Sequence, residues 1–170
     1  MRPAASSLRT ALGALTLAAL LGACAMPKHS DTQAAPPDPF NPAATQLLDD
    51  TQWALSGWQH GDGSARAVPG QDNGGPLTLD LSTATGQRHV SGFSGCNRYT
   101  GVYTLNDGKL GFGPLAGTRK ACMTPGADIE GEYLKALAHI DRSGVQMKAP
   151  QQLQLILDNG DTLTFTRRAK

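Results

Sequence analysis

The sequence predicts an α+β domain, an antiparallel sheet with one packed helix. Three observations predict it: apolar residues alternating at period two in several segments, two Gly-containing hairpin turns, and one apolar stripe at helical spacing. Alternation of that kind buries one face of a strand and leaves the other in water, the habit of antiparallel sheet.

The strands come first. Trp53 and Leu55 alternate with Gln52 and Ala54, and Leu77, Leu79 and Leu81 alternate with Thr78 and Asp80. Between them, 61–76 is rich in Gly, Asp, Asn and Ser and reads as a long surface loop. Val90 and Phe93 mark a third strand running into Gly95-Cys96-Asn97.

Turn chemistry predicts the register of two hairpins. Asp107-Gly108 suits a two-residue turn, since both residues tolerate positive φ. Leu105 then faces Leu110 and Tyr103 faces Phe112, and a one-residue slip would split that apolar set. At the C-terminal end, a two-residue Asn159-Gly160 turn would set Leu155 against Thr164. A three-residue loop, Asp158-Asn159-Gly160 with Gly160 left-handed, pairs Leu155 with Leu163 and Leu153 with Phe165, and is the register predicted.

Ile129, Tyr133, Leu137 and Ile140 form the helical stripe, flanked by Leu134 and Ala136. Thr124 and Pro125 fit the N-cap and first helical position, and Asp128 and Glu130 suit the positive helix start. Lys135 and Arg142 fall toward the other end, where Ser143-Gly144 is expected to stop the helix. Gly131 inside it costs about 1 kcal/mol relative to Ala, so tertiary packing must hold the helix together.

The N-terminus reads as an address. Arg2 and Arg9 precede an apolar run from Ala11 to Leu21, eleven residues, too short for a hydrocarbon core of about 30 Å. The segment 1–23 therefore reads as a signal peptide, expected to be cleaved. Leu21-Gly22-Ala23-Cys24 resembles the lipobox of bacterial lipoproteins, in which the Cys24 thiol takes a diacylglycerol; an ordinary Ala-type cleavage site is the alternative. Ala25, rather than Asp, resembles the outer-membrane sorting pattern, so the expected location is the periplasmic face of the outer membrane. Two or three acyl chains anchor firmly.

Residues 24–47 follow as the lipidated Cys and a tether. Five of the chain's 11 prolines fall within 27–42, and such a segment favours extended polyproline conformations. The folded unit is expected over 48–168, long enough for one core.

Charge narrows the partners. Lys and Arg number 15 and Asp and Glu 14, which argues against nucleic acid. Without Arg2 and Arg9 the balance is 13 against 14, so the lipid is the only evident means of holding a membrane.

Once Cys24 is lipidated, Cys96 and Cys122 remain in a compartment that permits disulfides, where an even pair is most simply a bridge. Closing that loop contributes roughly 3–3.5 kcal/mol. A zinc site lacks ligands in suitable spacing, since His29, His60, His89 and His139 are scattered singly. A catalytic thiol would have only His89 nearby. No metal and no cofactor is expected.

The segment from Val90 through Gly95-Cys96-Asn97-Arg98-Tyr99-Thr100-Gly101 to Tyr103 resembles the signature of the META domain, the family of HslJ-like envelope proteins. Leu115 to Cys122 is similar to its second block, and Glu130, Tyr133, Leu134 and Leu137 match its E-x-x-Y-L-x-x-L helix. Lys120 departs from the family's usual apolar residue. The resemblance implies a curved antiparallel sheet approaching an open β-barrel, with one packed helix, and an association with heat or envelope stress. It brings no catalytic mechanism.

Three functions stand. The first is a non-enzymatic outer-membrane lipoprotein that binds an envelope partner or supports envelope integrity, its open barrel accepting an apolar helix or an acyl chain. The second is a passive spacer. The third is a small hydrolase using Ser91, Ser94 or Asn97 with His89, but Ser91-Gly92-Phe93-Ser94-Gly95 lacks the strand–turn–helix context of a nucleophile elbow. Glu130 and Glu132, two apart on a helix, point in different directions. No catalytic residue is therefore assigned. Asn97, Arg98 and Arg119 are expected to satisfy backbone groups in the turns beside the cysteine pair.

Overall fold

The computed structural model describes residues 39–70, 75–121, 123, 126–146 and 148–169. Cys24, Cys122, Thr124 and Pro125 lie outside them, as do the signal and most of the tether.

A short 3-10 helix, η1 (Pro42–Leu48), leads into β1 (Thr51–Gln59). There follow β2 (Ala65–Arg66), β3 (Thr78–Ser82), β4 (His89–Phe93), β5 (Arg98–Asn106), β6 (Lys109–Phe112) and β7 (Ala116–Gly117). Then come the helix α1 (Gly126–Leu137) and strands β8 (Ile140–Gln146), β9 (Gln152–Leu157) and β10 (Thr162–Arg167). The strands lie in the order β6-β5-β4-β3-β1-β10-β9-β8, with β2 on β1 and β7 on β5. Every pairing is antiparallel. The sheet curls into a nearly closed barrel, the α+β architecture expected.

Both hairpin registers are found. Leu105 pairs with Leu110 and Tyr103 with Phe112, with Asp107 and Gly108 at positive φ. Leu155 pairs with Leu163 and Leu153 with Phe165, and Gly160 is left-handed at φ 87°. In that loop the Gly160 N–H bonds the Leu157 carbonyl and the Leu157 N–H bonds the Asp161 carbonyl.

The alternating residues turn inward. Trp53, Leu79, Tyr103, Leu110, Leu153 and Phe165 are all buried, and Tyr133 of α1 enters the same core. Its hydroxyl lies 3.2 Å from that of Tyr99, and the Tyr99 hydroxyl donates to the Thr78 carbonyl at 2.8 Å. The barrel interior is thus filled by its own side chains, where the sequence reading expected a lining open to a helix or acyl chain.

Two boundaries differ from expectation. First, the helix ends at Leu137, not beyond Ile140. Its last turn tightens, the N–H groups of Ala138 and His139 bonding carbonyls three residues back, and the chain turns directly into β8. Ile140 is buried there as a strand residue, so its apolar character served either period. Ser143-Gly144, read as a helix stop, lies inside β8.

Second, the packed unit takes in 39–47, which the tether reading leaves outside it. Asn41 caps η1, its Oδ1 accepting from the Ala43 N–H at 2.9 Å, and Pro42 stands at the helix start. The Asn41 N–H pairs with the Val145 carbonyl of β8, and Ala44 and Leu48 are buried. A bidentate pair from Arg88 to Asp49, 3.0 Å on each arm, fixes the entry to β1. The Tyr103 hydroxyl donates to Asp49 as well.

Candidate functional site

The turn carrying Cys96 and Asn97 lies between β4 and β5, with Gly95 at φ 110°. Asn97 is 5% exposed and spends its whole amide internally. Its Oδ1 accepts from the Thr118 hydroxyl and the Lys120 N–H, both at 2.8 Å, and its Nδ2 donates to Glu130 Oε1 at 3.0 Å. The Asn97 N–H donates to Glu130 Oε2 at 2.7 Å. The Ser94 hydroxyl lies 2.7 Å from both that oxygen and the Asn97 carbonyl. Partial burial pushes the Glu130 carboxyl up, but the bonds from Asn97 and Ser94 outweigh it and hold the group below its ordinary value.

This cluster ties the β4–β5 turn, the segment after β7 and the helix together. Asn97 therefore satisfies backbone groups as the sequence suggests, whereas the side chains of Arg98 and Arg119 are exposed. Cys96 Sγ lies 3.4 Å from the Lys120 carbonyl, two residues before Cys122 in the chain. Lys120 itself is exposed.

Of the hydrolase candidates, Ser91 lies on β4 two residues from His89, and Ser94 and Asn97 lie in the turn that follows. Ser94 is buried with its hydroxyl engaged, and His89 begins β4, five residues away along extended chain, or about 16 Å at the usual rise.

A second place was not anticipated: a cleft of about 620 Å³ between the end of β1, β2, the last turns of α1 and the β9–β10 loop. Asp161 forms its base and is 7% exposed. Its carboxylate accepts from Trp58 Nε1 at 2.9 Å and from the Gly61 N–H at 3.2 Å, with His60 Nδ1 also at 3.2 Å. Burial pushes the Asp161 carboxyl up, and the bonds from Trp58, His60 and Gly61 bring it below the usual aspartate value, so it is ionised.

Arg66 closes one side. Its guanidinium carbon stands 4.7 Å from the Trp58 ring centroid, and Nη1 pairs with Glu132 of the helix. Opposite, His139 Nδ1 lies 2.9 Å from Asp158 Oδ2, and the Asp158 N–H donates to the His139 carbonyl at 3.0 Å. Lys135 completes the helix wall. Among the described residues, no three His, Cys, Asp or Glu side chains converge to hold a metal.

No sequence motif marks this cleft, because its walls are separated by about a hundred residues. Trp58 was the one available signal: one of only two tryptophans, three residues beyond Leu55 where the period-two count breaks. A bulge between Leu55 and Gly57 causes that break and aims the indole at Asp161.

A family model described as the META domain matches residues 46–170. An NMR structure of a protein from Burkholderia xenovorans is 71% identical, with a TM-score of 0.76, over 85% of this chain and all of that one. A second NMR structure is 24% identical over 74% of this chain and 93% of that one, with a TM-score of 0.48. No curated protein matches the chain.

Proposed function

The chain belongs to the META domain family, and on that footing we propose that it is a non-enzymatic lipoprotein of the outer membrane that binds an envelope partner and supports envelope integrity under heat or other stress. The anchor is Cys24, behind a signal peptide over 1–23, and the body faces the periplasm. The observation that carries the binding role is the charged cleft around Trp58 and Asp161, open on a domain whose interior is packed with its own side chains. Supporting the non-enzymatic reading, the polar groups of Ser94, Asn97 and Glu130 are bonded to one another, holding loops in place.

Within this proposal Cys96 and Cys122 form a disulfide at the rim of the barrel. The position of Cys96 Sγ beside the Lys120 carbonyl supports that pairing.

One experiment tests the whole reading. Cells lacking the protein are complemented with the wild type, with Cys24→Ser, and with a chain whose residues 39–170 are replaced by an unrelated domain of equal size. Labelled palmitate should enter the wild type and not Cys24→Ser, and only the wild type should restore survival of heat. Rescue by the unrelated domain would instead make the body a spacer, and unlabelled wild type would end the lipoprotein reading. Thiol counting on the unreduced, denatured protein tests the bridge, with two reactive thiols overturning it.

A further inference from the structure

The cleft's charges point to a ligand class. Three carboxylates, Glu132, Asp158 and Asp161, face it against two cations, Arg66 and Lys135. The last turn of α1 also ends there, adding the negative end of the helix dipole. The two imidazoles present acceptors in their neutral form. Ionised Asp161 can only accept, so the Nδ1 of His60 is the donor, and in the neutral tautomer that leaves the lone pair on Nε2. His139 is oriented in the same way by Asp158.

Arg66 shows what such a site holds. It comes from the two-residue strand β2, and its guanidinium lies against the indole face of Trp58 while pairing with Glu132. The cleft therefore already accommodates a planar cation between an aromatic ring and a carboxylate.

We propose that this cleft binds an organic cation, an alkylammonium or guanidinium group, and that Arg66 is its resident competitor. The inference rests on reading the domain as a binding module, not on the lipid anchor. The cation reaches it from a free polyamine or from a Lys-rich segment of a partner, which present the same chemistry.

The test is calorimetric titration of the detergent-solubilised full chain at low ionic strength, with spermidine as one probe and pentalysine as the other. Saturable binding is expected, weakened about fivefold by Glu132→Gln, the size of one exposed charge pair. Arg66→Ala is expected to tighten binding severalfold by removing the competitor, while Lys109→Gln, on β6 outside the cleft, leaves it unchanged. Tighter binding of spermidine identifies the free amine as the source, and tighter binding of pentalysine a partner segment. Absence of saturable binding to either probe overturns the proposal, as does weaker binding by Arg66→Ala or indifference to Glu132→Gln in variants whose melting shows them folded. Such a failure leaves palmitate labelling and heat survival, which test the anchor and the cellular role, untouched.

Discussion

The Ser143 hydroxyl accepts a hydrogen bond from the Leu110 N–H at 2.8 Å and lies 3.3 Å from the Gly108 carbonyl. Ser143 belongs to β8 and Leu110 to β6, the first and last strands of the sheet order, so one side chain spans the seam of the barrel. Both residues are buried. A serine does here what a backbone ladder does between the other strands.

Ser143→Ala should therefore cost more than a typical hydroxyl deletion. It leaves the buried Leu110 N–H without its partner, a loss of about 1–3 kcal/mol. Urea unfolding should show a lower midpoint with an unchanged slope. A change within about 0.5 kcal/mol, the usual effect of a surface substitution, would mean that water or a backbone shift replaces the bond.

Gly92 is a stricter case. A Cβ there would lie 2.1 Å from the Thr78 carbonyl oxygen and 2.7 Å from the Tyr99 ring and hydroxyl. Backbone cannot give way as a flexible side chain can, and the Tyr99 hydroxyl already bonds that same carbonyl. Gly92→Ala is expected to destabilise by about 3 kcal/mol or to prevent folding, the upper end of overpacking costs. Gly131→Ala is the counterpart, because a Cβ at that helical position meets open space. It should stabilise by about 1 kcal/mol. Thermal melting of the two variants in opposite directions is the check.

These contrasts show where sequence reasoning reached. The registers at Leu105/Leu110 and Leu155/Leu163 were legible because turn chemistry and apolar alternation act within a dozen residues. The end of the helix was not, because Ile140 is apolar at either a helical or a strand period. Ser143 read locally as a stop signal, and only its distant partner Leu110 reveals its task. Likewise Pro42 marked the tether by composition, yet proline at a helix start is favourable, and Leu48 supplies the burial that orders η1. The cleft was illegible for the same reason, since Trp58, Glu132 and Asp161 meet only after the sheet has curled.

Neighbouring leucines test whether η1 belongs to the core. Leu48 is fully buried and Leu47 is 60% exposed. Leu48→Ala should cost about 2–5 kcal/mol, the range for leucines in packed cores, whereas Leu47→Ala should stay within about 0.5 kcal/mol. Equal and small effects in chemical denaturation would return 42–47 to the tether.

Glu130 links the motif turn to acid stability. Its carboxyl is held below the ordinary glutamate value because the bonds from Asn97 and Ser94 outweigh the cost of partial burial. The folded protein thus binds the proton less readily than the unfolded chain does. Stability contributed by Glu130 is fully present above the unfolded glutamate value, near 4.3, and is lost as pH falls through the lower folded value. Glu130→Gln should lower stability at pH 7 and flatten the acid limb, narrowing the gap from wild type as pH falls from about 5 to 3. Asn97→Ala removes the main donors to that carboxylate and should act in the same direction. Urea midpoints measured at intervals over that range decide the matter. A constant gap between wild type and Glu130→Gln at every pH would show that the carboxylate's charge plays no part in holding the turn to the helix.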